Sequence, residues 1–318
     1  MLRVVQWYCF FFCVMSFAQT DLEKGIKLLD SKSYTQAVTF FKEYLNTNED
    51  NLEAHEHLGE AYGYLEDWDN TIEQYKYLVA MVPNSANYHY KYGGALGMKA
   101  LENKLGSIGL IDDIEDEFIK AAELDKNHID ARWALVKFYV ELPRILGGTK
   151  SKALHYADEL KDISKVDGYL AKGFVYKSYN DFEEAEENLK TAVSIGGSVT
   201  CYNKLIALYT SEEDFTKSII TLREAYSKHG KNNYLYEIGK ICAEQKMNFN
   251  LGTECLNQYI EYYSYNDSYP LEWAYLRLAQ LERYQNNKIK AIDYIGKSLA
   301  IKGDFKPALK EKSKILKL

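Results

Sequence analysis

The chain has 318 residues, only 4 of them proline, and a formal net charge of −7. Scarce proline with abundant Leu, Ala, Glu, Lys and Tyr favours helix, and a single globular core rarely grows to this size. An acidic balance argues against nucleic acid as the main partner, because phosphate binding needs a basic surface.

In chain order, the first predicted element is a processing segment. Arg3 supplies a positive start, Val4 to Met15 is almost wholly apolar, and Ser16-Phe17-Ala18 places small residues before a cut. This is the layout of a secretory signal over residues 1–18, with cleavage after Ala18. The apolar run is too short for a comfortable membrane span, which needs about 20 residues. An inner-membrane anchor formed by an uncleaved signal stays open as the alternative. Cleavage before Cys13 as in a lipoprotein is disfavoured, because Phe12 stands where that processing needs a small residue. Localisation is therefore expected in the periplasm or outside the cell, with no stable membrane span after cleavage.

Beyond the signal the chain repeats. Gly25, Gly59 and Gly93 stand 34 residues apart, with aromatics at Tyr34 and Trp68 on the same beat and Phe182, Phe215 and Phe249 later. A period of this length marks helical hairpins stacked into an array, which escapes the size limit on one core because each unit packs only on its neighbours. The second unit shows the pattern: Leu58-Gly59-Glu60-Ala61-Tyr62 on a first helix, Trp68 opening a second, Tyr75 and Leu78 sharing its apolar face, and Pro83 closing it. Residues three apart share a helix face, and proline cannot continue a helix. A glycine inside a helix costs about 1 kcal/mol against alanine, so its recurrence predicts close helix–helix approach. In the first, fifth and sixth units a small residue follows the aromatic by three positions and a large one follows four later: Ala37 and Phe41, Ala185 and Leu189, Ser218 and Leu222.

This arrangement resembles the tetratricopeptide repeat family. The second unit matches that family's pattern at Leu58-Gly59, Tyr62, Tyr75 and Pro83, with Thr71 where the family has alanine. The third ends in Phe118, Ala121 and Glu123-Leu124-Asp125, with Lys126 in place of the proline. The resemblance implies an all-α, right-handed α-solenoid of about eight such hairpins over residues 19–318. The units are placed at roughly 18–51, 52–85, 86–128, 129–165, 166–198, 199–231, 232–271 and 272–305, with a capping helix at 306–318. From Tyr284 onward nine lysines face Asp293, Asp304 and Glu311, a local balance of +6, and the remainder of the processed chain is −14. The basic end reads first as a solvated cap, with an anionic partner as the alternative.

Two units break the period. Residues 104–112 and 142–150 are insertions between the paired helices and should project from one edge, where insertions often mark contact surfaces. Ile108, Leu110, Ile145 and Leu146 either serve such a surface or tuck onto their own hairpins. Cys242 and Cys255 fall on the two helices of one hairpin; buried thiols are the plainer reading, a disulfide the alternative.

Chemistry is sparse. Gly147-Gly148-Thr149-Lys150-Ser151 lacks the Gly-Lys-Ser/Thr order of a phosphate loop. His55 and His57 are two apart and so on different helix faces. Asp112, Asp113, Glu115, Asp116 and Glu117 lack the spacing and glycine of a calcium loop and fit the start of a helix instead. No catalytic residue, metal ligand or cofactor is expected, and the protein is read as not an enzyme.

The resemblance further implies that the first helix of each hairpin lines a protein- or peptide-binding face. Its groove positions carry over to Glu56, Glu60, Tyr90, Trp133, Lys137, Leu170, Phe174, Asn203, Tyr236, Lys240, Trp273 and Arg283. Trp133 and Tyr236 are expected to be exposed anchors, with Lys240 and Arg283 selecting an acidic end of the partner. The family's carboxylate-gripping Lys/Asn/Arg set is not matched, and Glu56 and Glu60 would repel such a ligand. The implied function is an exported binding scaffold. An assembly factor for an outer-membrane or secretion complex, or an accessory or sensory subunit of an enzyme system, are the alternatives.

Overall fold

The structure, a computed structural model, describes residues 22–102 and 108–318. The expected signal and residues 104–107 of the first insertion lie outside the described residues. The chain forms two compact units, one through Ala171 and one from Lys172. Each is an all-α solenoid of helical hairpins, with no strand among the described residues.

The first unit contains α1 (22–30), α2 (Tyr34–Leu45), α3 (Leu52–Tyr64), α4 (Trp68–Met81), α5 (Ala86–Glu102), α6 (Ile111–Leu124), α7 (Ile129–Glu141), α8 (Lys150–Ile163) and the start of α9 (Lys165–Ser178). The second contains the rest of α9, then α10 (Phe182–Ile195), α11 (Val199–Ser211), α12 (Phe215–His229), α13 (Asn233–Gln245), α14 (Phe249–Glu261), α15 (Leu271–Tyr284), α16 (Lys288–Ile301) and α17 (Lys306–Ile315). No described helix is long and apolar enough to cross a membrane.

Local chemistry sets the helix starts. Asn51, Asp67, Thr149, Ser198, Asp214 and Asn287 each accept the backbone N–H three residues on, filling one of the donors a helix leaves open. The hairpin turns repeat as well. Lys32, Glu66, Asn180, Glu213 and Asn286 have φ of 60°, 59°, 63°, 57° and 57°. Each is followed by a residue whose N–H returns to a carbonyl five positions earlier, as in Asp67 to Tyr62 and Asp214 to Tyr209. This left-handed turn reverses the chain and closes the helix end.

Packing follows the small-then-large rhythm. Ala37, Thr71, Ala185, Ser218 and Ala291 are buried on the second helix of their hairpins, and Phe41, Tyr75, Leu189, Leu222 and Ile295 are buried one turn on. Where the first helix carries a glycine at the crossing, the large residue meets it. A methyl carbon placed on Gly59 would lie 3.1 Å from Tyr75, on Gly93 3.0 Å from Phe118, and on Gly173 2.6 Å from Leu189. Gly239, not singled out from sequence, meets Leu256 at 2.3 Å in the same way. Such distances leave no room for a side chain. Ala185 is 0% exposed, and Ala185→Phe should therefore overpack the α9–α10 contact. The expected loss is about 1–3 kcal/mol or more, read as a lower denaturation midpoint; an unchanged midpoint would refute the register.

Neighbouring hairpins are also clasped. The Tyr139 hydroxyl donates to Glu115 at 2.5 Å, while Lys152 reaches the same carboxylate at 3.1 Å and lies 4.7 Å from the Tyr139 ring centre. In the second unit Tyr209 and Lys217 both bond Glu186 at 2.9 Å, with Lys217 5.3 Å from the Tyr209 ring centre. Each carboxylate sits on one hairpin and its two donors on the next, which sets the stacking register.

Of the insertion residues, Ile145 is 92% exposed and Ile108 is exposed, while Leu110 and Leu146 are half-buried. Leu110 and Leu146 are thus partly covered by the fold, while Ile108 and Ile145 stand open to solvent. Thr149 caps α8, accepting the Lys152 N–H at 3.2 Å, so the glycine-rich stretch is a helix lead-in. Cys201, Cys242 and Cys255 are buried free thiols. Burial pushes Cys242 up to about 11 and Cys255 up to about 12, which keeps both as inert thiols at neutral pH.

Candidate functional site

In the first unit α3 and α5 bring together a compact charged cluster. Lys91 lies 2.8 Å from Glu56 and 2.6 Å from Glu60, His57 bonds Glu60 at 3.2 Å, and Asn87 donates to Glu56 at 3.3 Å. Glu56 and Glu60 were expected on this face; Lys91 was not. The signal was available, since Lys91 follows them by about one repeat and carries the opposite charge. The hydrogen bond with His57 and the Lys91 contact outweigh desolvation and hold the Glu60 carboxyl down at about 2. The same bond to Glu60 holds the His57 imidazole above its usual 6.5.

These shifts have opposite pH signs. A depressed carboxyl stabilises the fold above its unfolded value and loses that contribution as pH falls through its folded one. For Glu60 the window runs from about 4.5 down to about 2. His57 contributes fully below 6.5 and loses its share as pH rises through its raised value. Glu60→Gln should flatten the decline in melting temperature across the acid window. An acid limb identical to the parent's would show that the cluster contributes nothing there.

Trp133 is half-buried on α7. Its Nε1 donates to Asp167 of α9 at 3.0 Å, and Asp167 also accepts the Ser164 hydroxyl at 2.6 Å. Tyr90 is half-buried beside Phe118 and His128, with ring centres 6.2 Å and 5.2 Å away. Lys137 is exposed on the turn after Trp133. Leu170 is buried, so it packs rather than faces a ligand.

In the second unit Phe174 is half-buried, and Asn203 is exposed and accepts the Tyr234 hydroxyl at 3.0 Å. Lys240 pairs with Glu237 at 3.3 Å. Trp273 packs edge-on against Phe305 at 4.8 Å, with the Arg277 guanidinium 5.7 Å from the Trp273 ring centre.

Two sequence expectations fail here. Tyr236 is 2% exposed, stacked on Tyr269 at 4.0 Å and packed against Tyr259, and is therefore a core residue and not an open anchor. The segment between α14 and α15 covers it, and Tyr269 is held there by its hydroxyl bond to Glu237. Arg283 is not free to meet an acidic partner, because it bonds the buried Glu311 of α17. Lys240 likewise has an internal carboxylate, so the pair expected to select an acidic end is already partnered.

A shallow cavity of about 610 Å³ lies between α12 and α14, lined by Ile219, Ile220, Arg223, Phe249, Leu251 and Gln285 among others. None of the expected contact residues lines it. No group of three or more His, Cys, Asp or Glu side chains among the described residues could hold a metal ion.

No protein-family model and no curated protein matches the sequence. Among solved structures, a tetratricopeptide repeat protein from Parabacteroides merdae is similar over 94% of this chain and 98% of its own, with 10% identity and a TM-score of 0.51. YrrB, described as a TPR protein with an unusual peptide-binding site, is similar over 62% of this chain and 97% of its own at 18% identity and TM-score 0.44. MamA is similar over 54% and 92% at 23% identity and TM-score 0.44. The full-length likeness, the glycine-to-large packing and the recurrent turns agree: this chain has the tetratricopeptide repeat fold.

Proposed function

We propose that the protein is a non-catalytic scaffold that binds a protein or peptide along the first helices of its hairpins, after export to the cell envelope. The observation that supports it is the contrast within those helices. Their buried sides are filled by repeat residues, while Glu56, Glu60, Tyr90, Trp133 and Lys137 on α3, α5 and α7 are rings and charges left partly or fully open to solvent. Rings with a polar handle beside charged groups are what peptide grooves use. The export reading rests on the order Arg3, apolar run, Ser16-Phe17-Ala18.

A photo-crosslinking residue at Lys137, compared with one at the exposed Lys76 of α4, tests the face in envelope extract. Capture from position 137 alone supports the groove; equal capture from both positions, or none, removes it. An integral membrane complex in the captured fraction would favour the assembly-factor reading, and an enzyme complex the accessory reading. N-terminal sequencing of the exported protein decides processing, with Gln19 expected and intact Met1 pointing to an anchor.

With a captured partner, Trp133→Ala should weaken binding by about 1–2 kcal/mol or more. It should also lower stability, because the Asp167 acceptor loses its donor. Trp133→Phe keeps a ring and drops only the hydrogen bond, so the two variants separate contact from scaffold. If affinity per folded molecule is unchanged in both, Trp133 is purely structural.

A further inference from the structure

We propose that the lysine-rich outer side of α16 and α17 docks on an anionic phospholipid bilayer. The charge is concentrated: residues 284–318 carry nine lysines against Asp293, Asp304 and Glu311. Two of those acids are committed, Asp293 to Lys297 at 2.8 Å and Glu311 to Arg283 and Lys314. Glu282 lies 4.0 Å from Lys290, and Asp304 is exposed at the turn before α17. Among the described residues no carboxylate stands in ion-pair distance of Lys306, Lys310, Lys312 or Lys317.

The geometry of α17 sorts these groups. Ala308, Glu311 and Ile315 are its buried side. At 100° per residue Lys306 and Lys310 fall opposite them beside the exposed Leu309, and the exposed Leu316 and Lys317 follow in the turn after the helix. Lys288 donates to the Leu316 carbonyl at 3.2 Å, which sets the start of α16 beside the end of α17. The first two turns of α16 add Ile289, 84% exposed, and Ile292, also exposed. The result is a surface with uncovered aliphatic side chains among unpaired cations.

Three features select a bilayer over an acidic protein or a nucleic acid. Every cation after Arg283 is lysine. Lysine is a point charge on a flexible stem, suited to a fluid headgroup layer, whereas arginine suits fixed two-pronged recognition of phosphate or carboxylate. Exposed Ile and Leu can enter the headgroup boundary while the ammonium groups stay at the charged layer. The preceding residues carry the acidic balance of the chain, which repels a polyanion that also contacts them but less so a headgroup layer met by α16 and α17 alone.

The test is co-sedimentation of the full chain with phosphatidylcholine vesicles containing roughly a third phosphatidylglycerol, against phosphatidylcholine alone, in about 0.1 M salt. Binding is expected only to the anionic vesicles and should fall with added salt. Lys306→Gln, Lys310→Gln and Lys317→Gln together should weaken it about a hundredfold, near fivefold per lysine. Both proteins carry the same N-terminus, so the difference belongs to α17; matching circular dichroism melts exclude a folding defect. If the triple variant melts early, the salt series on the parent chain decides alone. Leu309→Ser with Leu316→Ser should leave binding in low salt and lose it in high salt. Equal binding to both vesicle types, an unaffected triple variant, or soluble polyglutamate bound as tightly as vesicles would each overturn the proposal.

Discussion

Tyr236→Ala is expected to destabilise the second unit by about 3–5 kcal/mol, the range for removing a buried aromatic ring. The ring is stacked on Tyr269 and lies against Tyr259, within a core that also includes Ile238, Leu256 and Leu278. Its removal opens a cavity and also uncovers the underside of the segment before α15. Tyr269 then loses its stacking partner while keeping its hydroxyl bond to Glu237 and the Tyr259 hydroxyl on its carbonyl. Part of the cost should appear as local loosening, visible as faster amide exchange around residues 262–270. A midpoint within about 0.5 kcal/mol of the parent, the scatter of ordinary surface substitutions, would return Tyr236 to the exposed face where its sequence position alone had put it.

Glu311→Ala should cost about as much, 3–5 kcal/mol by the general penalty for breaking a buried ion pair. Glu311 is 1% exposed. Burial pushes its carboxyl up, yet the bonds from Arg283 and Lys314 outweigh this and hold it below its usual range. Removing it strands the Arg283 guanidinium between α15 and α17. Because the carboxyl is depressed, its contribution is present above the unfolded carboxylate range and fades as pH falls through the folded value. The parent should therefore lose α17 docking in acid, and the variant should show that loss already at neutral pH. Arg283→Met with Glu311→Leu serves as a control, since replacing both partners by apolar groups often restores stability. If the single variant melts like the parent, the pair is not what holds α17.

The fate of Tyr236 and Arg283 shows where reading the sequence reached its limit. Both lie on the first helices of their hairpins, and the resemblance to the tetratricopeptide repeat family implied the same groove face for them as for Glu56 and Lys137. Helical periodicity reports which side of a helix a residue occupies; it carries no information on what folds over that side. For Tyr236 the cover is the irregular segment before α15, and for Arg283 it is a helix that begins 23 residues later. Lys91 shows the same limit in milder form: its pairing with Glu56 and Glu60 spans 35 and 31 residues and needs the repeat spacing to be converted into distance.

The repeat itself was legible because every unit poses the same local problem and solves it with residues of the same few kinds. A helix start wants Asp, Asn, Ser or Thr, a close crossing wants glycine against Phe, Tyr or Leu, and a solenoid needs this every 34 residues or so. Those requirements lie within one period, and the sequence by itself determined the hairpins and their crossings. The clasps of Glu115 and Glu186, the burial of Tyr236 and the closure of Arg283 on Glu311 join elements across a turn, an irregular segment or a neighbouring hairpin. Only the tertiary structure decided them, because a side chain's partner depends on distances through space that no spacing along the chain encodes.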